Sequence, residues 1–534
     1  MKKTLSIILA ALMLLSTFAF AANAAECGCE YTPIVYVMGH QPIYKTDENG
    51  NRVEFFTDDD DEVNAAIEEI VPLFAKAIVG GDEAWDEYCD SFMEKFSVFF
   101  DDITVNPDGT VKEGTGVDFY WNENTVGTEH GRNHYYSYAY DYRLSLFDIA
   151  EDFNDFVETV KARTGHDKVI FMSRCGGTNL VATYLHEYQK PLNYSGVEKV
   201  IWLCGNLLGV DFIEALFSGN IKFNSEAFYR WTKNYNIEEY VGEKIAEYIY
   251  LTLDMIEDTV TGTDTVCAAL DRIYAKLKDK LIAPFLKVYH ALNAGIVAFV
   301  NDGYEDFRKY VFSEEGDIEK YATILEYLDR YHYEVQLNTE EDLLEMKEAG
   351  VEIDTITYYG DQTYPFMESA SLASDRIAGV SDQSYGGTAS NVTGTLSDAY
   401  IEKQKALGFE KYISPDKQID ASTGLFPDTT WYVKNARHSF HHNAQLLFLL
   451  EIARTKNATV DNVRGYQQFM TYDFDNQYFS PMQEHNPTDV DWAAYEEDAN
   501  DGIYNFIKKI SEFLKSLILF LMNTISRIIE VAKA

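Results

Sequence analysis

Lys168-Val169-Ile170-Phe171-Met172-Ser173-Arg174-Cys175-Gly176-Gly177-Thr178 passes from an apolar run into two glycines. Lys168 to Met172 reads as a parallel strand buried on both faces, and Thr178 to Tyr188 as a helix. A sharp strand-to-helix turn holds its central residue under strain, with small residues two before and two after it. Cys175 is that central residue, and Ser173 and Gly177 are the small flanks. Backbone N–H groups at the start of the helix favour a thiolate and an oxyanion there. Cys175 is therefore the expected nucleophile, and the N–H of Gly176 one oxyanion donor.

The flanking sequence predicts the sheet around this turn. Phe147 to Thr164 is an amphipathic helix closed by Gly165, and Val197 to Leu203 is the next apolar strand. Thr32 to Met38 is an earlier strand that ends at Gly39-His40-Gln41-Pro42. Hairpins are expected at residues 44–57, turning at Glu48-Asn49-Gly50, and near Asn106-Pro107-Asp108-Gly109. Glu62 to Phe100 has a helical period between them. From Gly205 to Glu345 the pattern is helical and rich in tyrosine, which predicts an inserted helical cap. Strands resume at Glu352 to Tyr359, and Thr429 to Lys434 is expected to be the last. The predicted fold class is α/β: a mostly parallel sheet, helices on both faces, a helical cap and a C-terminal amphipathic helix.

In such a topology an acid follows a late strand and a histidine follows the last one. Asp361 follows Thr355 to Tyr359, and His438 follows Trp431 to Lys434. Asp382 and Asp428 are weaker acid candidates, and His441 and His442 are rivals for the base. The second oxyanion donor is expected after the early strand, from the backbone N–H of His40 or Gln41. Asp141 and Arg143 are expected to form a structural ion pair beside the turn.

These residues carry a family resemblance. Tyr140-Asp141-Tyr142-Arg143-Leu144, the 173–177 turn and Gly360-Asp361-Gln362-Thr363-Tyr364-Pro365 together resemble the lecithin:cholesterol acyltransferase-like branch of the α/β-hydrolase lipases. That family has an aromatic-Asp-Trp-Arg segment, a Gly-His-Ser-x-Gly-Gly turn and a Gly-Asp-x-Thr-Val-Pro acid loop. The likeness covers roughly residues 30–205 and 350–455 and omits the cap. Tyr142 stands where the family has Trp, Ser173 where it has the first Gly, and Cys175 where it has the nucleophilic Ser. The resemblance implies an α/β-hydrolase fold and acyl chemistry on an ester or lipid.

Composition narrows the function classes. The formal charge of −43 argues against nucleic acid, which needs a basic surface. Lys2 and Lys3, the apolar run from Leu5 to Phe20 and Ala22-Asn23-Ala24 predict a signal peptide cleaved near Ala24, hence a secreted or cell-surface protein. Roughly 510 residues follow, enough for a large catalytic domain with an insertion. The expected layout is a signal peptide at 1–24, a core at 25–205 and 346–482, a cap at 206–345, and an acidic linker with a helix at 483–534. Of six cysteines, Cys27 and Cys29 sit two apart but lack a second ligand pair for zinc. The Asp58-Asp59-Asp60-Asp61-Glu62 run lacks calcium-loop spacing. No cofactor or metal is expected. Ile503 to Ile529 forms one apolar stripe, interrupted by Lys515, Asn523 and Arg527, which suits a membrane surface, a partner or the chain's own core rather than a span.

The expected chemistry is acyl transfer through Cys175, His438 and Asp361, to water or to an alcohol. The aromatic cap suits an apolar acyl chain. An exported reactive thiol is exposed to oxidation. Two alternatives therefore stay open: an inactive fold that binds a lipid or glycan, and a surface protein that interacts through its terminal helix.

Overall fold

A computed structural model describes residues 30–39, 43–54, several positions between 66 and 78, and residues 80–101, 104–117, 134–234, 261–288, 294–438, 443–474 and 476–483. The signal segment, Cys27, Cys29, His40, Gln41, the 58–62 acidic run, His441, His442 and the 503–534 helix lie outside the described residues. No helix among the described residues is long and apolar enough to cross a membrane.

Eight strands form the central sheet: β1 (Ile34–Val37), β2 (Tyr135–Tyr138), β3 (Val169–Cys175), β4 (Val197–Gly205), β5 (Glu352–Tyr359), β6 (Thr430–Lys434), β7 (Phe469–Asp473) and β8 (Tyr478–Pro481). Their order is β8-β7-β6-β5-β4-β3-β1-β2, and every neighbouring pair is parallel except β7 with β8. The chain is thus an α/β protein with a mostly parallel sheet. β3 is buried at all seven positions, as its unbroken apolar start requires. β4 alternates: Val200 and Trp202 join the core on one face, and Ile201 and Leu203 the core on the other.

Lys199 is the odd residue of β4, 1% exposed among apolar neighbours. Its ammonium donates to the carbonyls of Ile452 and Thr455, both at 2.7 Å, and lies 2.9 Å from Glu352. Those carbonyls end a helix that packs on the second face, Asn443–Arg454. A buried cation there meets the negative end of the helix and satisfies its orphan acceptors.

Number the helices that position the site α1 (Leu146–Thr164), α2 (Gly176–Tyr184) and α3 (Val380–Gln383). α1 ends on Gly165 at φ 70°, the left-handed cap that glycine accepts without cost. Beside its start, Arg143 donates to both carboxylate oxygens of Asp141 at 2.9 and 2.6 Å, as the sequence suggested. Between β4 and β5 the described elements are all helical. Phe212, Phe299, Tyr304 and Tyr331 from this stretch share one core with Val200 and Trp202, so the insertion packs directly on the sheet.

β6 is not the last strand, contrary to expectation. β7 and β8 extend the sheet beyond it. Phe469–Asp473 is a five-residue run behind Gln467-Gln468, too short for periodicity to separate from loop.

The decisive contact of the fold is at Gly177. A Cβ there would lie 2.5 Å from the carbonyl oxygens of both Val37 and Met38. Only glycine lets α2 start this close to the end of β1. Gly177→Ala is expected to destabilise the protein by about 3 kcal/mol in urea unfolding. Gly81→Ala, where nothing lies within 4 Å of the added carbon, is the matched control and should change little.

Candidate active site

Cys175 ends β3 and precedes α2 with φ 50° and ψ −131°. A non-glycine residue at positive φ is strained, and such residues persist only where their surroundings hold them. Here the pairing of β3 with β4 slips between Arg174 and Cys175, and Thr178 Oγ1 donates to the Cys175 carbonyl at 2.6 Å. Cys175 is 8% exposed. The loop after β1 runs beside it: a Cβ on Gly39 would lie 3.0 Å from Cys175 Cβ and 3.5 Å from Sγ. The N–H of Gly176 begins α2, at its positive end. Asn206 places its amide 4.0 Å from Sγ, and its nitrogen is best assigned as donor to the carbonyls of Cys204 and Gly205 at 3.3 and 3.1 Å. That assignment turns the amide oxygen toward the sulfur.

His438 is 5% exposed and makes its strongest contact with Asp375, not with Asp361. Nδ1 lies 2.7 Å from Asp375 Oδ2, and the His438 backbone N–H donates to the Asp375 carbonyl at 2.8 Å. The other carboxylate oxygen accepts from the N–H groups of Ile377 and Ala378 at 2.9 and 2.7 Å. The Nδ1 contact fixes the ring and leaves Nε2 for chemistry. Nε2 has no hydrogen bond within ordinary geometric limits, but Cys175 is near enough to act on its charge.

Burial alone pulls the His438 pKa down. Asp375 and then Cys175 outweigh it and hold the imidazole at about 10, above its ordinary 6.5.

Asp361, the expected acid, pairs with Arg437: Nε and Nη2 both lie 2.9 Å from Oδ2. It acts on the site through its neighbours. Its backbone exchanges two hydrogen bonds with Ser374, the residue before Asp375, and Arg437 is the residue before His438. Asp361 thus ties together, through its carboxylate and its backbone, the two segments that carry His438 and Asp375. Asp382 accepts from the N–H of Gly379 at the start of α3, and Asp428 pairs with Lys411 and Tyr412.

Sequence reasoning missed Asp375 because it took the first carboxylate after β5. The usable signal was local. Asp375-Arg376-Ile377-Ala378 fits a turn in which an aspartate accepts from N–H groups two and three residues on.

Cys204 was also missed. It is the extra residue in the β3–β4 slip, fully buried, at φ 48°. Burial pushes its thiol pKa well up, and the Asp375 carboxylate beside it adds to this. One donor atom each from Cys204, Asp375 and His438 lies within 4.8 Å of the others, a set that could hold a soft divalent ion. The 2.7 Å His438–Asp375 hydrogen bond leaves no room for an ion between those two atoms.

No known family profile matches the chain, and no curated protein matches it. Among solved structures, one described as the crystal structure of the Tle4-Tli4 complex is similar over 62% of this chain and 75% of that one, at 10% identity and a TM-score of 0.22. At that score it adds nothing to what the strand order already shows.

A histidine pKa raised by folding contributes stability that is present in full below 6.5 and lost as pH rises through about 10. The stability gap between wild type and Asp375→Asn should therefore be widest near neutral or mildly acidic pH and should shrink toward pH 10. Urea unfolding at a series of pH values measures it. A gap that widens with pH would contradict the pairing of Asp375 with His438.

Proposed function

We propose that the protein is an acyl hydrolase or acyltransferase that cleaves an ester through a Cys175–His438–Asp375 triad. The observation that carries this is the 2.7 Å His438–Asp375 hydrogen bond set behind a cysteine on a strained strand-to-helix turn. The finer fold assignment belongs to the same proposal: an α/β-hydrolase with a helical cap, in the lecithin:cholesterol acyltransferase-like branch. So do export, an ester or lipid as substrate, and contact of the terminal helix with a membrane surface.

The chemistry follows from the groups present. Cys175 Sγ attacks the ester carbonyl, and its proton resides on His438 Nε2. Asp375 stabilises the resulting imidazolium through Nδ1. The N–H of Gly176 and a backbone N–H of the loop after β1 stabilise the oxyanion. As the tetrahedral intermediate collapses, His438 gives its proton to the departing alcohol and a thioester remains on Cys175. Water or a second alcohol, deprotonated by His438, then attacks the thioester and restores the thiol. The raised His438 pKa favours an imidazolium at neutral pH, which pairs well with a thiolate.

A second reading has its own support. With Cys175 8% exposed and His438 5%, the site is closed to solvent, which suits an inactive fold that holds a lipid or glycan. Turnover decides between them. Wild type is expected to cleave p-nitrophenyl acetate and butyrate, to lose this on treatment with iodoacetamide, and to fall about a thousandfold in Cys175→Ala. Undiminished cleavage by Cys175→Ala would remove the thiol from the mechanism. Binding of the esters without cleavage by wild type would favour the second reading.

A further inference from the structure

Ten residues after Asp375, the chain places a tyrosine in an unusual state. Tyr385 is 3% exposed, and its hydroxyl is buried with no hydrogen-bond partner. Its φ is 54°, in the region that a bulky side chain rarely adopts. The surroundings enforce this. Gly386 N–H donates to Ser381 at 2.9 Å, Leu425 N–H donates to the Tyr385 carbonyl at 3.1 Å, and the Phe426 ring lies 6.5 Å from the phenol ring. Just before it, the Gln383 amide clamps the backbone N–H and carbonyl of Tyr358 at 2.9 and 3.1 Å, fixing α3 on β5.

The phenol hydroxyl lies at the end of β4, beside the residue paired with Cys175. Gly205 is the β4 residue paired with Cys175. A Cβ on Gly205 would lie 3.6 Å from the Tyr385 hydroxyl and 3.3 Å from Thr178 Cγ2. Burial raises the phenol pKa, so it is a neutral donor. An unpartnered buried hydroxyl costs free energy, and strain adds to that cost. Both are retained here beside the nucleophile.

We propose that Tyr385 is a substrate-binding residue whose phenol donates a hydrogen bond to an oxygen of the ester held at Cys175; this rests on the Cys175-centred reading above. The residue reaches the site from the loop that supplies Asp375, so the acid and this donor are positioned together.

Tyr194 supplies the comparison. It also has a positive φ, 55°, and a buried hydroxyl without a partner, but it lies at the start of β4, at the far end from Gly205. The test is binding of p-nitrophenyl butyrate to Cys175→Ala, read by quenching of tryptophan fluorescence, so that no turnover is needed. Adding Tyr385→Phe is expected to weaken binding roughly five- to tenfold. Its melting temperature should stay the same or rise, because an unpartnered hydroxyl has been removed. Adding Tyr194→Phe should leave binding within about twofold. Unchanged binding in Tyr385→Phe, a lowered melting temperature, or no binding with Tyr385 intact would each overturn the proposal. If the ester binds through Tyr385 but wild type never cleaves it, the acyl-transfer reading fails and this assignment stands.

Discussion

The approach of α2 to the end of β1 is the constraint on which the rest of the structure depends. With no side chain at Gly177, the helix begins within van der Waals reach of the Val37 and Met38 carbonyls. With that closeness go the positive φ of the turn at Cys175 and the approach of Gly39 to the thiol. A larger residue would push the helix outward, relax the turn and separate the sulfur from the backbone N–H groups around it. Strain at Cys175 thus goes with the packing of the helix that directly follows it on the neighbouring strand, and the sheet and helix cores stabilise it.

The second half of the site is held by a charge network one layer out. Asp361 neutralises Arg437 and pairs with the backbone of Ser374, so the segments bearing His438 and Asp375 are fixed relative to one another. Asn179, on α2, donates to the Tyr331 hydroxyl at 2.7 Å and to the Ala298 carbonyl at 3.3 Å, joining the helical stretch between β4 and β5 to the helix that starts after Cys175. Asp375 and His438 are therefore each anchored through the residue before them, and Cys175 through a residue on the first turn of the helix that follows it.

These relations explain what the amino-acid sequence disclosed. The strand at 169–175, the glycines after it and the helix from 146 to 164 were legible because period and turn chemistry act locally. His438 was legible because it follows β6 directly. Asp375 was not, because several carboxylates compete in one stretch and only tertiary pairing with Arg437 removes Asp361 from the contest. Cys204 was hidden for a related reason: a one-residue slip between strands turns an ordinary core position toward the acid. β7 and β8 were hidden by their brevity. Nothing local marks the partners of Lys199, which are helix-terminal carbonyls more than 250 residues away.

The four described cysteines are all reduced and all buried. Two, Cys175 and Cys204, flank the site, while Cys89 and Cys267 share a separate core between helices. Oxidants reach a thiol only when the structure around it opens, so each sulfur survives for as long as its local opening is rare. In an oxidising medium the useful lifetime of the protein would then be a kinetic property. It would be set by whichever core around a cysteine opens most readily rather than by the overall free energy of folding.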